Sequence, residues 1–193
     1  MLFRSVVWCW GSSNHGGLGD GTLPHRATPG PVVNADLAGG TLGGASALCV
    51  GDQFGCALRG GSLACWGRNN FGQLGDGSTN DATTPQSVDA AVSFSTVTAG
   101  QLHSCARARD GRAFCWGRNT YGQLGDGGTT DRSRPVPVRS GTAFSSVNAS
   151  GAHTCAVTAG GEGFCWGYNI DGQLGGGDRE NASAPARVLP ASR

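Results

Sequence analysis

The chain has 193 residues, of which 35 are glycine, and its 14 basic residues, all arginine, nearly balance 13 acidic residues for a formal net charge of +1. This balance lacks the basic excess of a dedicated nucleic-acid or anionic-membrane binder. No apolar run approaches the roughly 18 residues of a membrane span, and glycine does not recur at every third position as in collagen. Abundant glycine also argues against a helical bundle, because each interior glycine costs about 1 kcal/mol relative to alanine.

The first nine residues, Met1 to Cys9, form a short apolar stretch. They lack the extended apolar region and the cleavage site of a secretory signal peptide.

A thirteen-residue pattern that begins Cys-Trp-Gly occurs four times, starting at Cys9, Cys65, Cys115 and Cys165. The spacings between successive pattern tryptophans are 56, 50 and 50 residues. The first interval is six residues longer, and the extra residues are most simply placed in the glycine-rich stretch from Ala38 to Gly44.

The third unit predicts four short strands in chain order. Phe94 to Ala99 comes first, and His103 to Arg107 and Arg112 to Trp116 then flank an Asp-Gly turn, which is a strong hairpin signal. Pro135 to Val138 forms the last strand, and proline there fits a sheet edge because it cannot donate to a central ladder. Four strands in about 50 residues describe a propeller blade, and a solenoid is the alternative.

The prediction is therefore an all-β propeller of four-stranded antiparallel blades. Residues 1–193 form one propeller segment with units at about 1–33 (a partial blade), 45–89, 94–139 and 144–189.

The full pattern is Cys-Trp-Gly-x-Asn-x-x-Gly-Gln-Leu-Gly-Asp-Gly, preceded by Gly-x-x-His-x-Cys-Ala and followed by Pro-x-x-Val. It resembles the regulator of chromosome condensation repeat family, and its cysteines resemble the bacterial branch with α-tubulin suppressor-like repeats. The resemblance extends over essentially the whole chain. It implies a propeller, usually of seven blades, that serves as a scaffold for protein–protein interaction.

The repeated tryptophans are predicted to pack between neighbouring blades, since each can bury roughly 150–250 Å²; an aromatic binding platform is the alternative. They are Trp10, Trp66, Trp116 and Trp166.

Other repeated residues are also interpreted as scaffold. The leucines of Gly-Gln-Leu-Gly would fill space between blades, the aspartates of Gly-Asp-Gly would stabilise turns, and the histidine two residues before a cysteine would be packed and hydrogen-bonded. These residues are Leu74, Leu124, Leu174, Asp20, Asp76, Asp126, His103 and His153. His15 and His25 have no partner that the sequence identifies.

Six cysteines fall into local pairs that flank the predicted hairpin turns. The turn lengths place the two members of each pair directly opposite one another, at a spacing compatible with a disulfide. We predict the pairs Cys56 with Cys65, Cys105 with Cys115, and Cys155 with Cys165. Zinc is the alternative, but these spacings lack the short Cys-x2-Cys element of structural zinc sites.

Cys9 and Cys49 remain unpaired in this scheme. Alignment with the later units places the expected partner of Cys9 just before residue 1, and Met1 to Phe3 would be the end of the preceding strand. The first unit would then supply only two outer strands, near Val6 to Trp10 and Thr28 to Val32. We expect about three and a half blades, either as part of a longer propeller or as a chain that oligomerises.

The function predicted from the resemblance is non-catalytic protein binding, with no catalytic, metal-binding or cofactor-binding residue. Almost every polar group recurs in register, which is typical of scaffold, and Glu162 and Glu180 have no clear partner. The variable loop positions are the candidate partner-binding residues, with ordinary loop surface as the alternative. These candidates are Arg68, Phe71, Arg118, Tyr121, Arg132, Arg134, Tyr168 and Ile170.

The paired cysteines predict an oxidising compartment, and hence an extracellular or cell-surface protein. The expected partner is an unidentified protein rather than nucleic acid, and no membrane span is predicted. Two further hypotheses are inhibition of a secreted enzyme and guanine-nucleotide exchange on a small GTPase, the activity of the family's eukaryotic founding member. An exported protein would not be expected to meet such a GTPase.

Overall fold

The computed structural model describes residues 6–34 and 40–190, and these residues form fourteen β-strands. A two-stranded sheet is followed by three four-stranded antiparallel sheets, named here blade 1 (β1–β2), blade 2 (β3–β6), blade 3 (β7–β10) and blade 4 (β11–β14). The strands are β1 (Trp8–Gly11), β2 (Arg26–Pro31), β3 (Ala47–Val50), β4 (Phe54–Arg59), β5 (Ser62–Gly67), β6 (Ala82–Ser87), β7 (Phe94–Ala99), β8 (His103–Ala108), β9 (Ala113–Gly117), β10 (Arg132–Pro137), β11 (Phe144–Ser150), β12 (His153–Thr158), β13 (Gly163–Gly167) and β14 (Ala182–Arg187).

Each complete blade is a meander in which strands adjacent in sequence are adjacent in the sheet. The first strands of successive blades lie beside one another, β3 against β7 and β7 against β11. The predicted class of fold, four-stranded antiparallel blades in an all-β chain, is therefore confirmed.

The outer strand of blade 3 begins earlier than predicted, at Arg132 rather than Pro135. The pairing register with β9 shifts between Arg132 and Val136. Such an irregularity accommodates Pro135, which has no N–H for a regular ladder.

The hydrophobic core is divided among the spaces between blades. Between blades 2 and 3, Phe94 and Phe114 meet edge to face with ring centroids 5.9 Å apart, and Leu74 packs in the same cluster. Phe144, Phe164 and Trp166 form the corresponding arrangement in blade 4. Because each blade buries its apolar face against the next blade, the core is continuous only when blades stack.

Three of the four repeated tryptophans are buried as predicted, but Trp10 is not. Trp66 and Trp116 are 2% and 0% exposed, whereas Trp10 is 60% exposed. Each buried indole lies against the preceding blade, and in the described residues no blade covers that face of blade 1. Trp10 instead lines a cavity of about 370 Å³ with Val50 and Trp66, among other residues.

The glycine-rich stretch that lengthens the first repeat interval contributes a buried side chain between blades 1 and 2. Leu42 is 5% exposed and packs with Val7, Val32 and Trp66. Its carbonyl accepts a hydrogen bond from the backbone N–H of Val7, and its own N–H donates to Val32. Leu42 therefore fills the space between blades 1 and 2, as Phe94 does between blades 2 and 3. The prediction for Met1 to Phe3, and the part of the insertion at Ala38 and Gly39, lie outside the described residues.

Candidate protein-interaction surface

A long loop joins the third strand of each complete blade to its outer strand, and a buried asparagine holds it together. In blade 3 the Asn119 side-chain carbonyl accepts a hydrogen bond from the Leu124 N–H at 3.0 Å. Its Nδ2 donates to Asp126 and to the carbonyls of Gly128 and Thr130. Asn69 and Asn169 make the equivalent bonds to Leu74 and Leu174. These loops are therefore ordered by internal hydrogen bonds.

The predicted turn role of the aspartates agrees with this geometry. Asp126 Oδ1 accepts from the Gly128 N–H at 2.9 Å, and its other oxygen pairs with Arg132. Burial acts to raise the pKa of Asp126, but these hydrogen bonds and the arginine together lower it. The carboxylate therefore serves the loop as a fixed acceptor.

A glutamine in each loop holds the backbone of the residue two places before it, which is aromatic in blades 2 and 3 and Asp171 in blade 4. Gln123 Oε1 accepts from the Tyr121 N–H, and Gln73 Oε1 accepts from the Phe71 N–H, both at 2.9 Å. Gly122 between them has φ +80°, and a Cβ there would lie 2.5 Å from the Cα of Ser183 in the next blade. Only glycine allows this approach, so the loop of one blade is locked against the outer strand of the next.

The tryptophan and serine side chains connect these loops to the neighbouring blade. The Gln73 carbonyl accepts hydrogen bonds from the Trp116 indole at 2.9 Å and from Ser104 at 2.8 Å. Trp66 donates likewise to Gly17 of blade 1. These hydrogen bonds therefore fix the position of each loop relative to the next blade.

Four candidate residues predicted from the sequence meet in a continuous row across blades 2, 3 and 4. The Arg118 guanidinium lies 5.2 Å from the ring centroid of Phe71 and 5.8 Å from that of Tyr121. Tyr121 and Tyr168 follow with ring centroids 4.8 Å apart. All four side chains are half-buried. We refer to Phe71, Arg118, Tyr121 and Tyr168 as the aromatic–arginine ladder.

The other candidates lie beside or away from the ladder. Ile170 is 56% exposed in the loop that carries Tyr168. Arg68 occupies in blade 2 the position of Arg118 and pairs with Asp52 at 3.0 Å. Arg132 and Arg134 lie on strand β10 rather than in a loop, so their assignment as loop residues is wrong. They are on the strand because it begins three residues earlier than the proline pattern indicates. Arg132 pairs with Asp126 and Arg134 with Asp89.

The three predicted cysteine pairs lie opposite one another on the second and third strands of their blades, at disulfide distance. The pairs are Cys56–Cys65, Cys105–Cys115 and Cys155–Cys165, each with Cα atoms 4.1 Å apart.

Cys9 and Cys49 are free thiols. Burial raises the pKa of the Cys49 thiol to about 12, and burial followed by the charge of Asp20 raises that of Cys9. Both are therefore protonated and poorly nucleophilic near neutral pH.

His103 is completely buried, and its Nε2 lies 2.9 Å from the Thr154 hydroxyl. Burial, followed by the charge of His153, lowers the pKa of His103 to about 3, so the ring is neutral near pH 7. Among the described residues, neither His103 nor His153 belongs to a group of side chains that could hold a metal ion. The geometry of His103 matches the predicted packed and hydrogen-bonded role, whereas His153 is half-buried and its ring makes no hydrogen bond to the described residues.

Three polar residues without an assigned partner have one in the structure. His15 contacts Asp81 of blade 2 at 2.6 Å, and His25 Nδ1 accepts from the Ser13 N–H at 3.0 Å. Glu162 pairs with Arg187 at 2.7 Å. These partners are 12 to 66 positions away in sequence, which explains why local patterns did not find them.

Residues 6–34 and 40–190 contain no group of three or more histidine, cysteine, aspartate or glutamate side chains that could hold a metal ion. No helix long and apolar enough to cross a membrane occurs among them.

Comparison of the sequence with known families gives two matches, both described as the regulator of chromosome condensation (RCC1) repeat. One covers residues 61–107 and 110–157, and the other covers residues 94–123. The ultraviolet-B receptor UVR8 of Arabidopsis thaliana is 34% identical over 108 residues, which make up 54% of this chain and 23% of the receptor.

Comparison with solved structures gives similar propellers. Human WBSCR16 matches with a TM-score of 0.83 and 24% identity over 97% of this chain and 49% of that chain. Prp20p of Saccharomyces cerevisiae matches with a TM-score of 0.80 and 22% identity, over 96% of this chain and 47% of that chain. Its structure is described together with its binding properties to Gsp1p and histones. Yeast RCC1 (Prp20) bound to Kap60 matches with a TM-score of 0.78 and 22% identity, over 96% of this chain and 45% of that chain. The present chain thus spans less than half the length of these proteins.

Proposed function

Because the chain belongs to the regulator of chromosome condensation repeat family, we propose that it is a non-catalytic propeller segment that binds a protein partner through the aromatic–arginine ladder. The observation that carries the proposal is the continuity of the ladder. Phe71, Arg118, Tyr121 and Tyr168 come from three blades and form one row of contacts. Tyrosine and arginine are enriched among the residues that dominate binding energy at protein interfaces.

The loop framework supports the same proposal. Gln123 accepts a hydrogen bond from the Tyr121 N–H, and Asn119 accepts one from the Leu124 N–H, so the loop that carries the Tyr121 ring is ordered before a partner arrives. Prior ordering reduces the entropy lost on association. The ladder side chains are half-buried, so part of each side chain remains accessible for contact with a partner.

We place the protein in an oxidising compartment, at the cell surface or outside the cell. The three cysteine pairs at disulfide distance support this location, since such frameworks persist where thiols are not kept reduced. Mass spectrometry of the protein isolated under non-reducing, alkylating conditions tests the location. Three bonded pairs and two alkylated cysteines are expected, and eight alkylated cysteines would contradict it.

Capture of partners on the immobilised full chain tests the binding proposal. The bait is exposed to culture supernatant of the source cells, in parallel with Phe71→Ala and Tyr121→Ala. Arg109→Ala is the matched control, because Arg109 is exposed in the β8–β9 hairpin at the other end of blade 3. We expect specific partners to be lost from both ladder variants and kept by the control. Equal capture by all four baits would refute binding through the ladder.

A further inference from the structure

In the described part of the chain six arginines form ion pairs with carboxylates, whereas Arg118 has no carboxylate beside it. Within the described residues its Nε donates to the Thr120 hydroxyl at 3.1 Å, and its guanidinium lies over the rings of Phe71 and Tyr121. Arg26, by contrast, pairs with Asp20 at 2.7 Å. The two terminal nitrogens of Arg118 therefore have no acceptor in the described part of the chain.

The equivalent arginine of blade 2, Arg68, has the carboxylate partner that Arg118 lacks. Arg68 donates its backbone N–H to Gln53, and Arg118 donates its backbone N–H to Leu102, so the two positions correspond. The residue before Gln53 is Asp52, which pairs with Arg68 at 3.0 Å. The residue before Leu102 is Gln101, which is exposed and uncharged. Blade 3 thus keeps the arginine and lacks its carboxylate.

The surroundings of Arg118 fit an incoming anion. Its stem and plane are held against two aromatic rings, so little side-chain freedom remains to be lost on binding. Asp52 is already neutralised by Arg68. The blade 4 loop, at the far end of the ladder, carries the exposed carboxylates of Asp171, Asp178 and Glu180. The Tyr121 ring lies between Arg118 and Tyr168 of that loop.

We propose that Arg118 binds the carboxylate of an aspartate or glutamate side chain of the protein partner. The partner carboxylate takes the place that Asp52 takes beside Arg68, and an adjacent apolar side chain of the partner packs on Tyr121, Tyr168 and Ile170. This inference rests on the proposed function of the ladder and adds the chemistry of the partner. A planar guanidinium recognises a carboxylate through two parallel hydrogen bonds, which gives both specificity and affinity.

A displayed library of random peptides, fused at their C-termini so that only side-chain carboxylates are available, tests the proposal. Selection uses the immobilised full chain, and recovered peptides are resynthesised with each acidic residue as the acid or the amide. Their affinities are measured for the wild type and for Arg118→Met, Gln101→Asp and Tyr121→Ala. Arg109→Ala is the matched control, because it removes an exposed arginine of blade 3 at the end of the blade opposite to the ladder. Thermal melting checks that each variant is folded.

We expect enrichment of aspartate or glutamate among the recovered peptides. Changing the acid to the amide should weaken binding to the wild type about tenfold or more, as for a buried charged anchor, and should have little effect on Arg118→Met. Gln101→Asp should weaken binding similarly, because it supplies Arg118 with an internal carboxylate, whereas Arg109→Ala should bind like the wild type.

Two results would overturn the inference and separate it from the proposed function. If recovered peptides depend on Tyr121 but bind equally as acid and amide, the partner chemistry is wrong and the ladder is still the binding surface. If no recovered peptide depends on either Tyr121 or Arg118, both the inference and the proposed function fail.

Discussion

Replacement of His103 by phenylalanine should make the protein less sensitive to acid. The chain itself shows that phenylalanine fits, because Phe54 occupies the same position in blade 2 and is 1% exposed. Gly51 accommodates the Phe54 ring just as Gly100 accommodates the His103 ring; a Cβ on either glycine would come within 2.2 Å of the neighbouring ring. His103→Phe is therefore a substitution that the fold already tolerates one blade away.

The magnitude follows from the difference in proton affinity between the folded and unfolded chains. The pKa of His103 falls from the ordinary 6.5 to about 3, chiefly because the ring is buried. Between these values the unfolded chain binds a proton that the folded chain does not, so stability is lost as pH falls below 6.5. Each pH unit costs about 1.4 kcal/mol, which amounts to about 3 kcal/mol at pH 4.5 relative to pH 7.5.

At pH 7.5 the substitution should change stability little. It removes the contact of Nε2 with the Thr154 hydroxyl, but that hydroxyl still donates to the Gln123 carbonyl at 2.9 Å. It also removes Nδ1, a buried nitrogen without a hydrogen-bond partner in the described structure. We expect a change within about 1 kcal/mol.

Urea unfolding followed by tryptophan fluorescence at pH 7.5 and pH 4.5 measures the effect. His103→Phe should be more stable than the wild type by about 3 kcal/mol at pH 4.5 and nearly equal to it at pH 7.5. His153→Phe is the control and should give a smaller gain, because that ring is only half-buried. The same difference between His103→Phe and wild type at both pH values would refute the argument.

Three further tests of the scaffold use substitutions whose stability is measured by chemical denaturation against the wild type. Trp116→Ala should destabilise the chain by about 3–5 kcal/mol, because its indole is buried. Trp10→Ala should cost less than about 0.5 kcal/mol, because its indole is exposed. Equal losses would show that Trp10 is covered in solution. Replacement of both Cys105 and Cys115 by alanine should cost about 3 kcal/mol, because it opens a loop whose ends are ten residues apart in sequence; no loss would mean that the pair is not bonded. Leu42→Ala should cost about 2–5 kcal/mol through the cavity it leaves between blades 1 and 2, whereas a neutral effect would contradict its packing role.

The sequence alone predicts the blade and its internal pairing, because these depend on local pattern. The turn between His103 and Trp116 brings Cys105 opposite Cys115, and any hairpin of that length has this register. The resemblance to the repeat family likewise predicts the propeller. The start of β10 was missed, because the local proline signal marks the middle of the strand and not the bulge that accommodates it.

The tertiary structure decides what identical motifs do in different places. Trp10 and Trp116 occupy the same motif position, yet only Trp116 is buried, because burial depends on whether a neighbouring blade covers that face. Phe71 and Arg118 are 47 positions apart, and no local period indicates that they touch. They meet because the stacking of blades places the loop of one blade beside the loop of the next. The repeat therefore determines the scaffold, and the contacts between repeats determine the surface on which a partner can bind.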